Sequence, residues 1–146
     1  MEITEVRVRK VNSGNRVKAI AQITFDNEFV VHEIKVMEKP EGLFIAMPRR
    51  KKGERYYDIA HPINQEVRDK LTKAVLEKYE EALKAYTRAY ELEGSYKEGK
   101  DSLYICSIGR TLRRLGRYEE AVEKLLESRR LSLEEGDGVD LEDIEL

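Results

Sequence analysis

Residues 17–36 read Val-Lys-Ala-Ile-Ala-Gln-Ile-Thr-Phe-Asp-Asn-Glu-Phe-Val-Val-His-Glu-Ile-Lys-Val, and this stretch decides the fold class. Val17, Ala19, Ala21, Ile23 and Phe25 take every second position, with Lys18, Gln22 and Thr24 between them. A period of two over that length is a strand with one face in a core. Asp26-Asn27 breaks the pattern with turn-forming residue types. Val30, His32, Ile34 and Val36 then resume on one expected face, Glu33 and Lys35 on the other, which makes His32 an inward or cross-strand structural group. Working outward, Val6, Val8 and Val11 precede a turn at Asn12-Ser13-Gly14-Asn15, and the apolar run from Leu43 to Met47 follows Pro40 and Gly42. Connections this short join antiparallel neighbours, because parallel strands need a crossover of a dozen residues or more. The front of the chain is an antiparallel sheet.

Pro48 ends the fourth strand, and Arg49-Arg50-Lys51-Lys52-Gly53-Glu54-Arg55 follows, with five positive charges in seven residues. Such a segment does not enter a core; it is expected as an exposed, mobile loop between two strands. Tyr56 and Tyr57 come next. Cations beside aromatic rings suit nucleic acid, since the charges neutralise phosphates and release counterions while rings stack on unpaired bases. The plainer reading is a solvated hairpin tip with Tyr56 or Tyr57 in the core. The formal charge of the 146-residue chain is −2, but residues 1–70 carry a net +3 and the remainder a net −5. Two differently charged surfaces imply two kinds of partner.

His61-Pro62-Ile63-Asn64 starts a helix: proline keeps His61 extended, and Asn64 caps the first turn. Val67, Leu71, Val75, Ala82, Leu83, Tyr86 and Tyr90 recur at helical spacing, and no glycine interrupts before Gly94. A helix over residues 65–92 is about 40 Å long, more than a small sheet covers. Its second half needs other company. Ser95 with Glu98 resembles a capping box, and an apolar stripe through Leu103, Ile105, Ile108, Leu112 and Leu115 runs to Gly116. A third helix carries Tyr118, Ala121, Leu125 and Leu131. The spacing of Gly109, Gly116, Tyr118 and Ala121 resembles a tetratricopeptide repeat, with Ser128 where that pattern usually has alanine. Small residues at Gly109 and Ala121 let the two helices approach closely. Tyr79, Ala82, Tyr86 and Ala89 echo the spacing of the third helix. Residues 134–146 form an acidic run, read as a frayed tail.

Two stretches carry more than pattern. Asp26-Asn27-Glu28-Phe29-Val30-Val31-His32-Glu33-Ile34 resembles the central hairpin of the SpoVG (stage V sporulation protein G, or septation protein) family. Gly42-Leu43-Phe44-Ile45-Ala46-Met47-Pro48, followed after the basic segment by Asp58-Ile59-Ala60-His61-Pro62-Ile63-Asn64, is similar to that family's most distinctive block. The resemblance implies an α+β domain over residues 1–79, an antiparallel sheet with a long C-terminal helix, that pairs as a homodimer. It also implies a bacterial regulator of septum formation and sporulation that binds DNA and, in some members, RNA. A tetratricopeptide-like helical pair over residues 80–134 shares the long helix, and residues 135–146 form the acidic tail. The family's loop after Met47-Pro48 usually has serine, basic residues, threonine, proline, aspartate and glycine; here the basic character is kept and the length is shortened. A repeat-like extension is not part of the family's ordinary C-terminus.

The candidate nucleic-acid contacts are Arg49, Arg50, Lys51, Lys52 and Arg55, helped by Arg68, Lys70 and Lys73 on the first turns of the long helix. Arg110, Arg113 and Arg114 would line a groove for an acidic peptide or protein partner, the second reading of function. Catalysis is not expected. His32 and His61 are the two histidines, Asp58 lies three residues before His61, and no nucleophile or glycine-rich phosphate loop adjoins them. No metal or other cofactor is expected: Asp137, Asp140, Glu142 and Asp143 lack the spacing of a calcium loop. Cys106, the sole cysteine, lies near Ile105 and Ile108 and reads as a buried structural thiol, in keeping with a reducing cytoplasm. No apolar run approaches the roughly 20 residues of a membrane helix.

Overall fold

The computed structural model describes residues 1–93 and 100–134, with the side chains of residues 100 and 101 not among those described. The Ser95–Glu98 capping pattern and the acidic run beyond residue 134 lie outside the described residues. The chain is α+β and divides into two compact units, Met1–Ala82 and Leu83–Leu146.

The first unit holds a four-stranded antiparallel sheet in the order β1-β2-β3-β4, from β1 (Ile3–Lys10), β2 (Val17–Phe25), β3 (Phe29–Lys39) and β4 (Gly42–Ala46). The period-two reading of β2 holds along its length: Ala19, Ala21, Ile23 and Phe25 are buried and the residues between them are less so. The turn into β3 is as tight as its residues allow. Asp26 and Asn27 both take positive φ, 50° and 55°, and the Phe25 carbonyl accepts the Glu28 amide at 2.9 Å. Both central residues in the left-handed region is the type I′ pattern, whose twist matches that of the flanking strands. The helix α1 (Gln65–Glu93) starts where expected, with the Asn64 side chain accepting the Val67 amide at 2.9 Å. Its first half buries Leu71, Val75 and Tyr79, one stripe at four-residue spacing, which covers the sheet's apolar face. Complete burial of Ile23, Ile34, Val36 and Val75 stabilises this layer by roughly 1.5–3 kcal/mol per side chain.

In β3 the expected alternation fails, and the cause is a bulge. Ala21 pairs with Ile34 but Ile23 pairs with Val31, so β3 carries one extra residue between them. Glu33 absorbs it with a φ of 61°, a conformation costing a non-glycine residue on the order of 1–2 kcal/mol. The extra residue shifts the alternation at Val30 to His32. Val31 turns inward, while Val30 and His32 are exposed, so His32 is not the inward group that simple alternation predicts.

The second unit takes the end of α1 together with α2 (Lys100–Arg114) and α3 (Tyr118–Glu134). Its core joins Ala89 and Leu92 of α1 to Cys106 of α2 and Ala121 and Leu125 of α3. The α2–α3 turn is a Schellman motif: Gly116 sits at φ 79°, its amide bonds the Arg113 carbonyl, and the Arg117 amide bonds the Leu112 carbonyl. Small residues set how closely the two helices approach. A Cβ on Gly109 would lie 2.7 Å from Leu125 Cγ. Ser128, in the position where alanine is usual, donates its hydroxyl to the Ser102 carbonyl at 2.6 Å and is thereby buried without loss. The expected stripe on α2 is rotated as a result. Ser102, Cys106 and Gly109 face the core, while Leu103 and Leu115 are exposed, because small residues rather than large ones allow the helices to touch.

Gly109→Ala is expected to destabilise the helical unit by about 1–2 kcal/mol, the overpacking cost exceeding the gain in helix propensity. Thermal melting followed at 222 nm measures it, and combination with Leu125→Ala should be less than additive. Glu33→Gly is expected to stabilise the sheet unit by up to about 1 kcal/mol by removing left-handed strain. The reading is a higher urea midpoint at unchanged slope; a lower midpoint would assign the bulge to the Glu33 side chain.

Candidate nucleic-acid interface

Between β4 and α1 the chain leaves the sheet and folds on itself. β5 (Arg49–Lys52) and β6 (Arg55–Asp58) pair antiparallel as a separate two-stranded ribbon, Arg49 opposite Asp58, Arg50 opposite Tyr57, Lys51 opposite Tyr56 and Lys52 opposite Arg55. This corrects the expectation of a mobile loop between two strands: the cations are themselves paired strand residues. Gly53 makes the two-residue turn with Glu54, taking φ 66° while Glu54 keeps an ordinary φ, the II′ arrangement that tolerates glycine at its first position. The Ile59 amide closes the base on the Pro48 carbonyl at 2.7 Å.

All eight strand residues of the ribbon are exposed. Tyr56 and Tyr57 are 63% and 52% accessible, so neither is the core tyrosine that the plainer reading required. Arg49 Nε donates to Asp58 Oδ1 at 3.2 Å, an exposed pair of small energetic worth. Asp58 is thereby an ion-pair partner rather than half of an acid–base pair. His61 instead sets the start of α1, its Nδ1 donating to the Pro62 carbonyl at 2.9 Å. Lys51 Nζ stands 5.9 Å from the centre of the Tyr56 ring. Arg50, Lys52 and Arg55 form no ion pair with any described residue.

The helix cations do not make one group. At about 100° per residue, Lys70 and Lys73 lie about 60° apart around α1 and Arg68 lies on its far side. Arg68 is half-buried; Lys70 reaches the Met1 carbonyl at 3.4 Å, and Lys73 pairs with Glu77 at 4.0 Å.

In the helical unit the three arginines part company as well. Arg110 and Arg114 are exposed. Arg113 is not: its Nε and Nη2 donate to the two Glu93 oxygens at 2.6 and 3.0 Å, and its side chain is 16% accessible. The guanidinium also lies 5.3 Å and 5.7 Å from the rings of Tyr86 and Tyr90, and Tyr86 meets Tyr118 edge-on. These hydrogen bonds to Glu93 push the Arg113 pKa up, against burial. Arg113 thus fastens α1 to α2 instead of lining a groove. Glu93 was not among the expected functional residues, and its partner twenty positions away leaves no local signal. Cys106 is buried, as expected of a structural thiol.

Among the described residues no cluster of histidine, cysteine and carboxylate side chains is arranged to hold a metal, and no helix is long and apolar enough to cross a membrane. Residues 1–81, which carry the sheet, the ribbon and the first half of α1, match the SpoVG family. A relative from Caldanaerobacter subterraneus, named "Putative septation protein SpoVG", is 63% identical over 83 residues, covering 56% of this chain and 91% of its own length. Proteins of the same name from Caldicellulosiruptor saccharolyticus and Thermoanaerobacter sp. strain X514 are 58% and 54% identical, covering 58% and 67% of this chain and 98% and 100% of their own. On the strength of that match, which includes the turn at Asp26-Asn27 and the segment around the ribbon, the chain belongs to the SpoVG family, a non-catalytic regulatory family.

Proposed function

We propose that the chain is a cytoplasmic bacterial regulator linked to septation and sporulation, that it works as a homodimer, and that it binds DNA or RNA through the β5–β6 ribbon. The observation that carries this reading is an exposed strand pair with five cations, four of them without a carboxylate partner among the described residues. Cations so placed neutralise phosphates and release condensed counterions, a sequence-independent source of affinity that weakens with salt. Lys70 and Lys73 on α1 supply further charge, and an open edge of the sheet, at β1 or β4, offers the route to pairing.

Replacement of Arg49, Arg50, Lys51, Lys52 and Arg55 together by alanine is expected to weaken binding to a polynucleotide at least tenfold at low salt. The slope of log affinity against log salt should flatten by roughly 2 to 4. Unchanged affinity and slope would reject the ribbon as the contact. The helical unit favours a second role, because α2 leaves Leu103, Tyr104 and Leu115 exposed beside Arg110 and Arg114, a surface suited to an acidic protein segment. Truncation after Leu92 that leaves the dimer and nucleic-acid binding intact but removes partner capture supports that role; loss of the dimer assigns the helices to scaffolding.

A further inference from the structure

The pleat of the ribbon sorts its side chains into two unequal faces. Alternation places Arg49, Lys51, Tyr56 and Asp58 on one side and Arg50, Lys52, Arg55 and Tyr57 on the other. The first face is matched within itself. Arg49 has Asp58, and Lys51 has the Tyr56 ring, whose π-face is therefore already engaged by a cation.

The second face has no carboxylate at any paired position, Glu54 being in the turn. It sets Lys52 directly opposite Arg55, and Arg50 opposite the open ring of Tyr57. Like charges facing across a ladder destabilise it, and an isolated two-stranded hairpin has little stability to spare. That face is a standing electrostatic liability until a polyanion lies on it.

Resting on the nucleic-acid reading above, the geometry points to this second face alone as the contact surface, with an unpaired polynucleotide strand as its ligand. Arg50 and Lys52 are two strand positions apart, about 6.8 Å, a spacing that suits successive phosphates of an extended strand. Tyr57 lies beside them as a stacking platform. In a duplex, base faces are closed off by their neighbours and such a ring has nothing to stack on, so the ring gives the face a reason to prefer unpaired bases. Neither a phosphate contact nor a stacked ring senses the 2′-hydroxyl, so DNA and RNA strands are equivalent ligands here.

The test uses the full chain, with a 20-nucleotide unstructured DNA, the RNA of the same sequence, and the DNA duplex as probes, binding being read by fluorescence anisotropy across salt. Thermal melts of each variant confirm folding. Arg50→Ala, Lys52→Ala and Arg55→Ala combined should lower affinity for the unpaired strands at least tenfold and flatten the salt slope by about 2. Arg49→Ala with Lys51→Ala should move that slope by less than half as much. Tyr57→Ala should cost roughly tenfold on unpaired strands and little on the duplex, Tyr57→Phe should restore binding, and Tyr56→Ala should have a small effect. Equal losses from the two cation sets overturn the face assignment, and so does a Tyr57→Ala effect that is the same on duplex and strand, or a strong preference for one sugar. Binding that survives removal of all five cations is a different failure, that of the ribbon as a nucleic-acid contact at all.

Discussion

Charge cannot be taken out of water without a partner, and this constraint shapes the chain more than any single contact. The cost of desolvating an unpaired guanidinium or ammonium group is several kcal/mol, comparable to the whole net stability of a small domain. Residues 49–55 bring five such groups in succession, so the chain cannot continue β4 into the sheet through them. It leaves at Pro48, satisfies its backbone by pairing with itself in β5 and β6, and returns to begin α1. Backbone hydrogen bonding and side-chain solvation are thus met together. An irregular excursion would also have kept the charges wet, but it would have left their spacing undefined.

The two units show opposite solutions for the same residue type. Arg113 is drawn inward because Glu93 meets its fork with both oxygens and the rings of Tyr86 and Tyr90 shield its faces, so the cation keeps hydrogen bonds in place of water. Arg50 and Arg55 have no such cradle among the described residues and stay in solvent. The difference lies in surroundings that sequence spacing does not reveal, and it separates a cation that holds helices together from cations that remain available to a ligand.

This contrast also marks what the sequence made legible. The antiparallel sheet, the Asn64 cap, the buried Cys106 and the tight packing at Gly109 follow from period, turn chemistry and residue size, all local properties. The bulge at Glu33 was not legible, because a glutamate gives no sign that it will adopt positive φ. One extra residue then reversed the faces of Val30 and His32. The rotation of α2 was hidden for a related reason: large apolar residues were read as the core, whereas contact with α3 selects Ser102, Cys106 and Gly109. In the candidate site, the basic residues were visible by type, but pairing across the ribbon was not. Asp58 is three residues from His61 in sequence and opposite Arg49 in register, and register decides its role.

On the proposed nucleic-acid reading, register also gives the ribbon its functional value. A flexible basic loop binds a polyanion only after fixing many rotatable bonds, and part of its electrostatic attraction is offset by that ordering. A strand pair closed by a two-residue turn has already fixed its backbone, so only the side-chain tips remain to be ordered on contact. Gly53 makes this closure possible, because a residue with a Cβ would meet strain at φ 66° and favour a longer, looser turn. The segment after Met47-Pro48 therefore holds its cations on a defined pleat. In that state the face bearing Arg50, Lys52 and Arg55 is kept from self-neutralisation by the same pairing that matches Arg49 with Asp58 on the opposite side.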